Sequence, residues 1–344
     1  MVNRSQYAER ARSILHSIVE AYIETGEPVA SRTIAKAGGH LSPATIRNVM
    51  ADLYDEGYLA QPHTSAGRIP TVKAFRSYVQ TLATKRLSLG EVQRMRSELR
   101  RADSMEGRLE MSSHLLTEMT HNVGIAASIP TNSQTLAQIE LLLLADRRVL
   151  MVVETRDHRV SNRVVALDQS VTQDELNVVR NYFNENFKGW TLSRIQFELR
   201  ERLAHERAMY DAMLQRLEML YQKGLLEVGL TPEVHLDGTS NLFLIDLSLD
   251  KEKLRDLFRT LEEKQRLLAL LDRFLEAEPG EVGVQVGLGD VHSSMDELSL
   301  IGLTVTLPTG LATKFAVLGP MRMNYAQVIA AVSQVGATVE SLSE

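Results

Sequence analysis

The first part of the chain shows apolar residues at helical spacing, interrupted by short polar breaks. Between about residues 7 and 25, apolar side chains recur every three or four positions, which predicts one buried helix face, and Gly26 ends the segment. A second, short helix is predicted from Ser31, a good N-cap residue, to the glycines at 38 and 39. The inward positions of these two helices are Ile14, Leu15, Ile18, Val19, Tyr22, Ile34 and Ala35.

A third helix is well marked at both ends. Ser42 is a suitable N-cap, Pro43 occupies the tolerated first helical position, and Gly57 suits the left-handed position after the helix. Its predicted buried stripe is Ile46, Val49, Met50 and Leu53. Its outward positions are Ala44, Thr45, Arg47, Asn48 and Ala51. This small, polar and basic face is suited to entering a DNA groove.

Residues 58–71, YLAQPHTSAGRIPT, indicate two short extended segments around a turn. Gly67 is free to adopt a positive φ there, and Pro62 and Pro70 are confined to strand edges. Three helices followed by a hairpin predict a winged helix-turn-helix, whose third helix enters the major groove while the wing contacts the backbone or minor groove.

The rest of the chain predicts helices and strands in an α+β arrangement. Residues 72 to about 120 indicate a helical segment connecting the head to the body, with capping-box spacing at Ser88. Strands are predicted at 139–145, 149–155, 163–167, 241–249, 282–288, 298–307 and 313–320. Helices are predicted from Thr172 to about 189, at 193–228, at 251–277 and at 324–335. The long helix at 193–228 is a candidate subunit interface, although packing within the chain is equally allowed.

Composition and charge narrow the class of protein. The chain has 344 residues, 44% of them apolar, which is enough for two or three domains with buried cores. Its net charge is −6, but residues 1–86 contain eleven Lys and Arg and seven Asp and Glu, which gives +4 there and −10 for the remainder. A basic head on an acidic body is typical of a DNA-binding protein with a separate regulatory or assembly body.

Several other classes find little support. We expect a cytoplasmic protein, because no apolar run is long enough to span a bilayer and the N-terminus lacks the apolar core of a signal peptide. The absence of cysteine excludes disulfides and thiolate chemistry. His114 and His121 lack a third metal ligand, and Gly287 and Gly289 form only an isolated Gly-x-Gly. We expect no cofactor, no metal and no enzymatic activity, and we interpret Arg322 as a turn residue with an interface role as the alternative.

The candidate DNA contacts are assigned from these elements. Arg47 suits bidentate bonding to guanine and Asn48 to adenine, although phosphate contact by Arg47 and simple solvation of Asn48 are the alternatives. Arg68 is expected to contact the minor groove or a phosphate from the wing, and Arg32 and Thr33 to bind phosphate or simply to cap the second helix. The full predicted set is Arg32, Thr33, Ser42, Thr45, Arg47, Asn48, Thr64, Ser65, Gly67, Arg68 and Lys73.

Two segments, SPATIRNVMADLYDEGYLAQPHTSAGRIPT and VLGPMRMNYAQVI, resemble the bacterial heat-inducible transcription repressor family HrcA. The resemblance implies a homodimer with an N-terminal winged helix and a GAF-like domain into which a dimerisation domain is inserted. It also implies binding to an inverted-repeat operator upstream of chaperone operons, and activity maintained by the GroEL chaperonin. It places Thr45, Arg47 and Asn48 against bases, and Thr64, Ser65, Gly67 and Arg68 in the wing.

With this resemblance, the expected domains are 1–84 for the winged helix, 85–122 for a helical connector and 123–168 for the first GAF-like part. The inserted domain is expected at 169–240 and the second GAF-like part at 241–344. Two alternatives stay open: a transcription regulator whose GAF-like body senses a small ligand, and an enzyme carrying an accessory winged helix.

Overall fold

A computed structural model describes most of the chain. The described residues are 4–38, 41–63, 66–82, 85–130, 134–156, 159–205, 212–226, 232–244, 251–275, 279–289, 293–307 and 311–343.

The head consists of three helices, a short hairpin and a fourth helix. Its elements are α1 (Arg4–Thr25), α2 (Ser31–Gly38), α3 (Pro43–Asp55), β1 (Leu59–Ala60), β2 (Ile69–Pro70) and α4 (Val72–Val79). The strands β1 and β2 pair antiparallel, as the sequence predicts. In α3, Ser42 is the N-cap, Pro43 lies at the helix start, and Ile46, Val49, Met50 and Leu53 are the buried residues, which confirms the predicted stripe.

Two further helices follow, α5 (Leu89–Arg101) and α6 (Met105–Thr120). The capping box at Ser88 is present, with Glu91 as its partner. However, α5 and α6 are not a separate connector. Met95, Leu99, Leu109, Leu115 and Leu116 are buried in the same core as the head and the main sheet, because the apolar stripe of each helix packs against the body.

The body is built on a five-stranded antiparallel sheet with strand order β7-β3-β10-β9-β8. These strands are β3 (Val123–Pro130), β7 (Glu233–Asp237), β8 (Val282–Val286), β9 (Leu298–Thr306) and β10 (Leu311–Pro320). One face packs against α6 and the C-terminal helix α12 (Tyr325–Ser343). The other face is covered by α10 (Lys251–Glu262) and α11 (Lys264–Phe274). Alternate residues along each central strand therefore enter opposite cores.

Between β3 and β7 the chain forms a separate unit. Its elements are β4 (Leu136–Leu143), β5 (Arg148–Thr155), β6 (Val160–Ala166), α7 (Gln173–Phe187), α8 (Leu192–His205) and α9 (Ala212–Gln222). The three strands form their own antiparallel sheet, and one hydrophobic cluster joins them to the three helices. The change of sheet thus falls between β3 and β4, rather than at residue 169, because in the described part of the chain β4 to β6 form a sheet of their own.

Of the predicted long helix at 193–228, the structure describes α8 and α9, and residues 206–211 and 227–228 lie outside the described part. Ile195, Leu199, Leu217 and Leu220 are buried in the cluster shared with β4, β5 and α7. The sequence left open whether this apolar stripe forms a subunit interface or packs within the chain. Packing within the chain accounts for these four side chains.

Two other predictions need correction. The segment predicted as a strand at 241–249 begins within a 3-10 helix, Thr239–Leu244, and the described edge strand is β7, just before that helix. Residues 245–250 lie outside the described part. The helix predicted at 251–277 is interrupted at Glu263, which separates α10 from α11.

The head and the body share one hydrophobic core. Phe75 and Tyr78 of α4 contact the Tyr325 ring at centroid distances of 6.1 and 6.5 Å. The Arg322 guanidinium lies against Gly26, where an added Cβ would be 2.6 Å from Nη1 of Arg322. Arg322 thus lies at a contact between the head and the body of one chain.

Within the described residues, no helix has the length and apolar content needed to cross a membrane.

Candidate nucleic-acid interface

The start of α3 is organised by its N-cap. The Ser42 hydroxyl oxygen accepts a hydrogen bond from the Thr45 amide at 3.1 Å and lies 2.9 Å from the Thr45 hydroxyl. The two hydroxyls therefore form one small polar group at the helix start. Ser42 is exposed and Thr45 is partly buried, so both fix the local backbone as well as present oxygen atoms to solvent.

Arg47 and Asn48 follow on the next turn and are both exposed. Neither side chain forms a hydrogen bond or ion pair with any residue in the described part of the chain. An exposed guanidinium and an exposed amide without internal partners retain their full hydrogen-bonding capacity for an external ligand.

The second half of α3 and its C-cap are acidic on the exposed side. Asp52, Asp55 and Glu56 are exposed there. Asp52 accepts a hydrogen bond from the Tyr7 hydroxyl of α1, and this bond is the main cause of the raised pKa of Tyr7. A polyanion would be repelled by these carboxylates, so the surface suited to DNA is confined to the first two turns of α3.

The turn of the hairpin is held by hydrogen bonds within the hairpin. The Ala66 amide donates to the His63 carbonyl at 2.9 Å, and the Gln61 side chain donates to the Ala66 carbonyl at 3.1 Å. The predicted wing contacts Thr64 and Ser65 lie outside the described residues. His63, which the sequence prediction omitted, is exposed at the start of this turn.

Gly67 is needed for a reason other than the predicted one. It does not adopt a positive φ. Instead, a Cβ at this position would be 2.6 Å from the carbonyl oxygens of both Pro28 and Val29. The absence of a side chain allows the hairpin to pass directly against the segment that precedes α2.

Arg68 lies at the base of the hairpin rather than at its tip. Its amide and carbonyl exchange hydrogen bonds with Val29, each at 2.9 Å. Its guanidinium lies 4.5 Å from the centroid of the Tyr54 ring. The side chain is partly buried, so it links the hairpin to α3 by a cation–π contact.

Lys73 contacts the C-terminal end of α3. Its ammonium donates to the Glu56 carbonyl at 2.8 Å and lies 4.1 Å from the centroid of the Tyr58 ring. It thus satisfies a terminal carbonyl of the helix. Since α3 has 13 residues and a helix rises about 1.5 Å per residue, Lys73 is roughly a full helix length from Ser42.

Arg32 and Thr33 are exposed on the first turn of α2, and the Thr33 amide donates to the Ala30 carbonyl at 2.9 Å. Helix α2 packs against α3. Of the predicted set, the fold therefore groups Ser42, Thr45, Arg47 and Asn48 on the first two turns of α3. It separates Lys73 from them.

The other candidate chemistry is limited. His114 pairs with Asp237 at 2.8 Å, and the described part of the chain contains no group of three or more His, Asp or Glu arranged to hold a metal ion. Gly287 has a positive φ and packs against Val72 of α4.

The chain matches known proteins along nearly its whole length. Residues 106–329 match the family model of the HrcA protein C terminal domain. The heat-inducible transcription repressor HrcA of Geobacter sulfurreducens is 37% identical over 342 residues, covering 98% of each chain. The protein of the same description from Sorangium cellulosum is 36% identical over 338 residues, covering 96% of each.

A crystal structure at 2.2 Å resolution of a protein described as hypothetical has the same overall fold. Its TM-score is 0.59 at 21% sequence identity, and the match covers 96% of this chain and 98% of that one. At this identity the likeness concerns the fold alone.

These relatives define the class as transcription repressors rather than enzymes. Within that class, the chain belongs to the HrcA family, as the two sequence segments indicated.

Proposed function

We propose that this protein represses heat-shock genes by binding operator DNA through the N-terminal half of α3 and the adjacent hairpin. The observation that carries the proposal is the exposed pair Arg47 and Asn48, which have no internal partners in the described residues and lie one turn after the N-cap. The positive balance of the head supports it, because phosphate contacts supply most of the affinity for DNA.

In this proposal the head is a winged helix-turn-helix and α3 is its recognition helix. Three helices followed by an antiparallel hairpin support that assignment. Arg47 and Asn48 contact base edges, while Ser42, Thr45, Arg32 and Thr33 contact phosphates. Thr64, Ser65 and Gly67 keep the role of wing contacts to DNA that the family resemblance implies. Arg68 and Lys73 act mainly by fixing the wing and the end of α3, which refines their expected role as direct DNA contacts.

The body is proposed to be a GAF-like domain carrying an inserted dimerisation domain. The separate sheet and separate core of β4 to α9 support an inserted unit of residues 134–226, in place of 169–240. A dimer of this kind presents two recognition helices to an inverted repeat, with half-site spacing set by the dimer axis. Occupancy then excludes RNA polymerase, and the protein acts in the cytoplasm with the chromosome.

Heat regulation is proposed to act through the GroEL chaperonin, as the family resemblance implies. A marginally stable repressor that needs chaperonin help loses activity when heat-damaged proteins compete for the chaperonin. Repression that persists during heat shock in chaperonin-depleted cells contradicts this part of the proposal and leaves DNA binding intact.

Footprinting on the DNA upstream of the protein's own gene tests the operator geometry. The expected result is a protected region with twofold symmetry. Protection without twofold symmetry contradicts the dimeric mode of binding. Arg47→Ala is expected to remove the footprint, while Arg96→Ala, an exposed change on α5, leaves it in place.

A further inference from the structure

A second positively charged surface lies in the body, far from α3 in the sequence. It is a pocket of about 340 Å³ at the start of β6, the start of β7 and the start of α11. The inserted unit, the returning edge strand and the outer helical layer all contribute to its lining. We name it the junction pocket and define it by Arg159, Ser161, Arg163, Glu233 and Lys264.

Arg159 is the fixed cation of the junction pocket. Its side chain is only 4% exposed, and both its Nε and Nη2 contact one Glu233 oxygen, at 3.2 and 3.1 Å. Its carbonyl accepts a hydrogen bond from the Thr155 amide at 3.0 Å, which holds the residue at the β5–β6 connection. A buried arginine is costly unless anions neutralise it, and here one carboxylate oxygen receives both contacts.

The pocket holds more positive than negative charge. Three cations line it, Arg159, Arg163 and Lys264, and Glu233 and Glu106 are the two acids. The pKa of Lys264 is lowered, first by burial of its ammonium; Glu233 opposes the change, and Arg159 adds a smaller lowering. The three cations thus outnumber the two carboxylates of the lining. In a body whose overall charge is strongly negative, this is a local reversal of sign.

The neutral part of the lining suits a ligand with several oxygen atoms. Ser161 and Asn162 add a hydroxyl and an amide, which donate hydrogen bonds to oxygen acceptors. Lys264, the first residue of the 11-residue helix α11, adds an ammonium donor.

We propose that the junction pocket binds a small anion bearing phosphate groups, and that the bound anion ties the inserted unit to the five-stranded sheet. Arg163 and Lys264 are exposed at the mouth of the pocket and contact the phosphate directly. The buried Arg159 adds electrostatic attraction for the anion. The site is independent of the DNA-binding surface, so its ligand acts on the body and not on α3.

Thermal unfolding of the full-length protein tests this proposal, with sodium pyrophosphate as the probe and sodium chloride at equal ionic strength as the reference. A ligand that binds only the folded state raises the melting temperature in a saturable way. The expected result is a saturable rise for the wild type, with half-saturation at or below about 1 mM, the weak end of specific binding. The variant carrying both Arg163→Gln and Lys264→Gln is expected to require at least tenfold more pyrophosphate.

Three controls make each outcome decisive. Arg96→Gln removes an equally exposed cation on α5 and is expected to respond as the wild type does. Lys264→Arg keeps the charge and is expected to retain most of the response, which separates loss of charge from misfolding. Arg47→Ala is expected to lose DNA binding but keep the response to pyrophosphate.

No saturable rise in the wild type, or an equal rise in the double glutamine variant, overturns the proposal. A response abolished by Arg47→Ala overturns it too, because pyrophosphate would then occupy the head. DNA binding by the double glutamine variant is measured separately by mobility shift, so failure of the junction pocket is distinguishable from failure of the repressor function.

Discussion

At the scale of single residues, the two arginines of the head have different surroundings. Arg47 is exposed and has no internal partner among the described residues, whereas Arg68 is stacked on Tyr54 and its backbone is paired with Val29. Residue type and turn chemistry predicted both as DNA contacts. Only the fold separates them, because the spacing along the chain does not reveal which side chain a hairpin turns toward the protein.

Arg68→Ala is expected to destabilise the head. A cation–π contact at a partly exposed site contributes about 0.5–1 kcal/mol, and chemical denaturation measures the loss. A double-mutant cycle with Tyr54→Ala is expected to give a coupling energy of similar size. Arg12→Ala, an exposed change on α1, serves as the control. A coupling energy of zero would mean that the stacking contributes nothing in solution.

At Gly124 the backbone of β3 lies very close to the backbone of α6. A Cβ on this residue of β3 would lie 2.1 Å from the Ser113 carbonyl oxygen of α6, so Gly124→Ala must displace the helix from the sheet. We expect a loss of roughly 1–3 kcal/mol or more in the free energy of unfolding, the usual range for overpacking. Gly90→Ala is the matched control. Its Cβ meets no atom within 4 Å, and helix propensity favours alanine by up to about 1 kcal/mol.

At the scale of elements, the helix ends were the most predictable features. The N-cap at Ser42 and the capping boxes at Ser88 and Thr172 are all present, because a cap depends on neighbouring residues only. Strand partners depend on the whole chain. The edge strand β7, EVHLD, alternates polar and apolar residues and is partly buried along its whole length, whereas the prediction followed the more continuous apolar run at 241–249.

The capping box of α7 is expected to contribute a pH-dependent part of the protein's stability. The pKa of Glu175 is lowered, first by the Thr172 amide and next by Arg216. Because the pKa is lower in the folded state, the associated stabilisation is present above the unfolded pKa and is lost as the pH falls through the folded value. Arg216→Gln is expected to raise the pKa of Glu175, measured by NMR titration of the carboxyl carbon.

Glu91 is the internal reference for that titration. The pKa of Glu91 is lowered mainly by Ser88, in a capping box on a different helix. It is expected to stay unchanged in Arg216→Gln. Equal shifts in both glutamates would point to a global change in structure instead of the loss of one ion pair.

At the scale of the whole molecule, the main surprise is the shared core of head and body. The sequence divided them at a helical connector, since amphipathic helices alone do not reveal their packing partners. In the structure Phe75, Tyr78 and Tyr325 join α4 to α12. The motif around Arg322, which carried part of the family resemblance, lies at this contact.

Tyr325→Ala is therefore expected to loosen the head. Tyr325 is 1% exposed, and removing a large buried aromatic side chain costs about 3–5 kcal/mol. Hydrogen exchange is expected to show lost protection in α3, α4 and α12, while α7, in a separate core, keeps its protection. Lost protection in α7 with an unchanged α4 would contradict the assignment of the two cores.

The most direct test of the whole account is a mobility shift with the DNA upstream of the protein's own gene. Wild type and Arg47→Ala are compared at about 50 and 200 mM salt, a range over which phosphate contacts change affinity strongly. The account predicts salt-sensitive binding by the wild type and its loss in Arg47→Ala, with Arg96→Ala binding normally. Equal binding by Arg47→Ala and the wild type would contradict the assignment of α3 as the DNA reader.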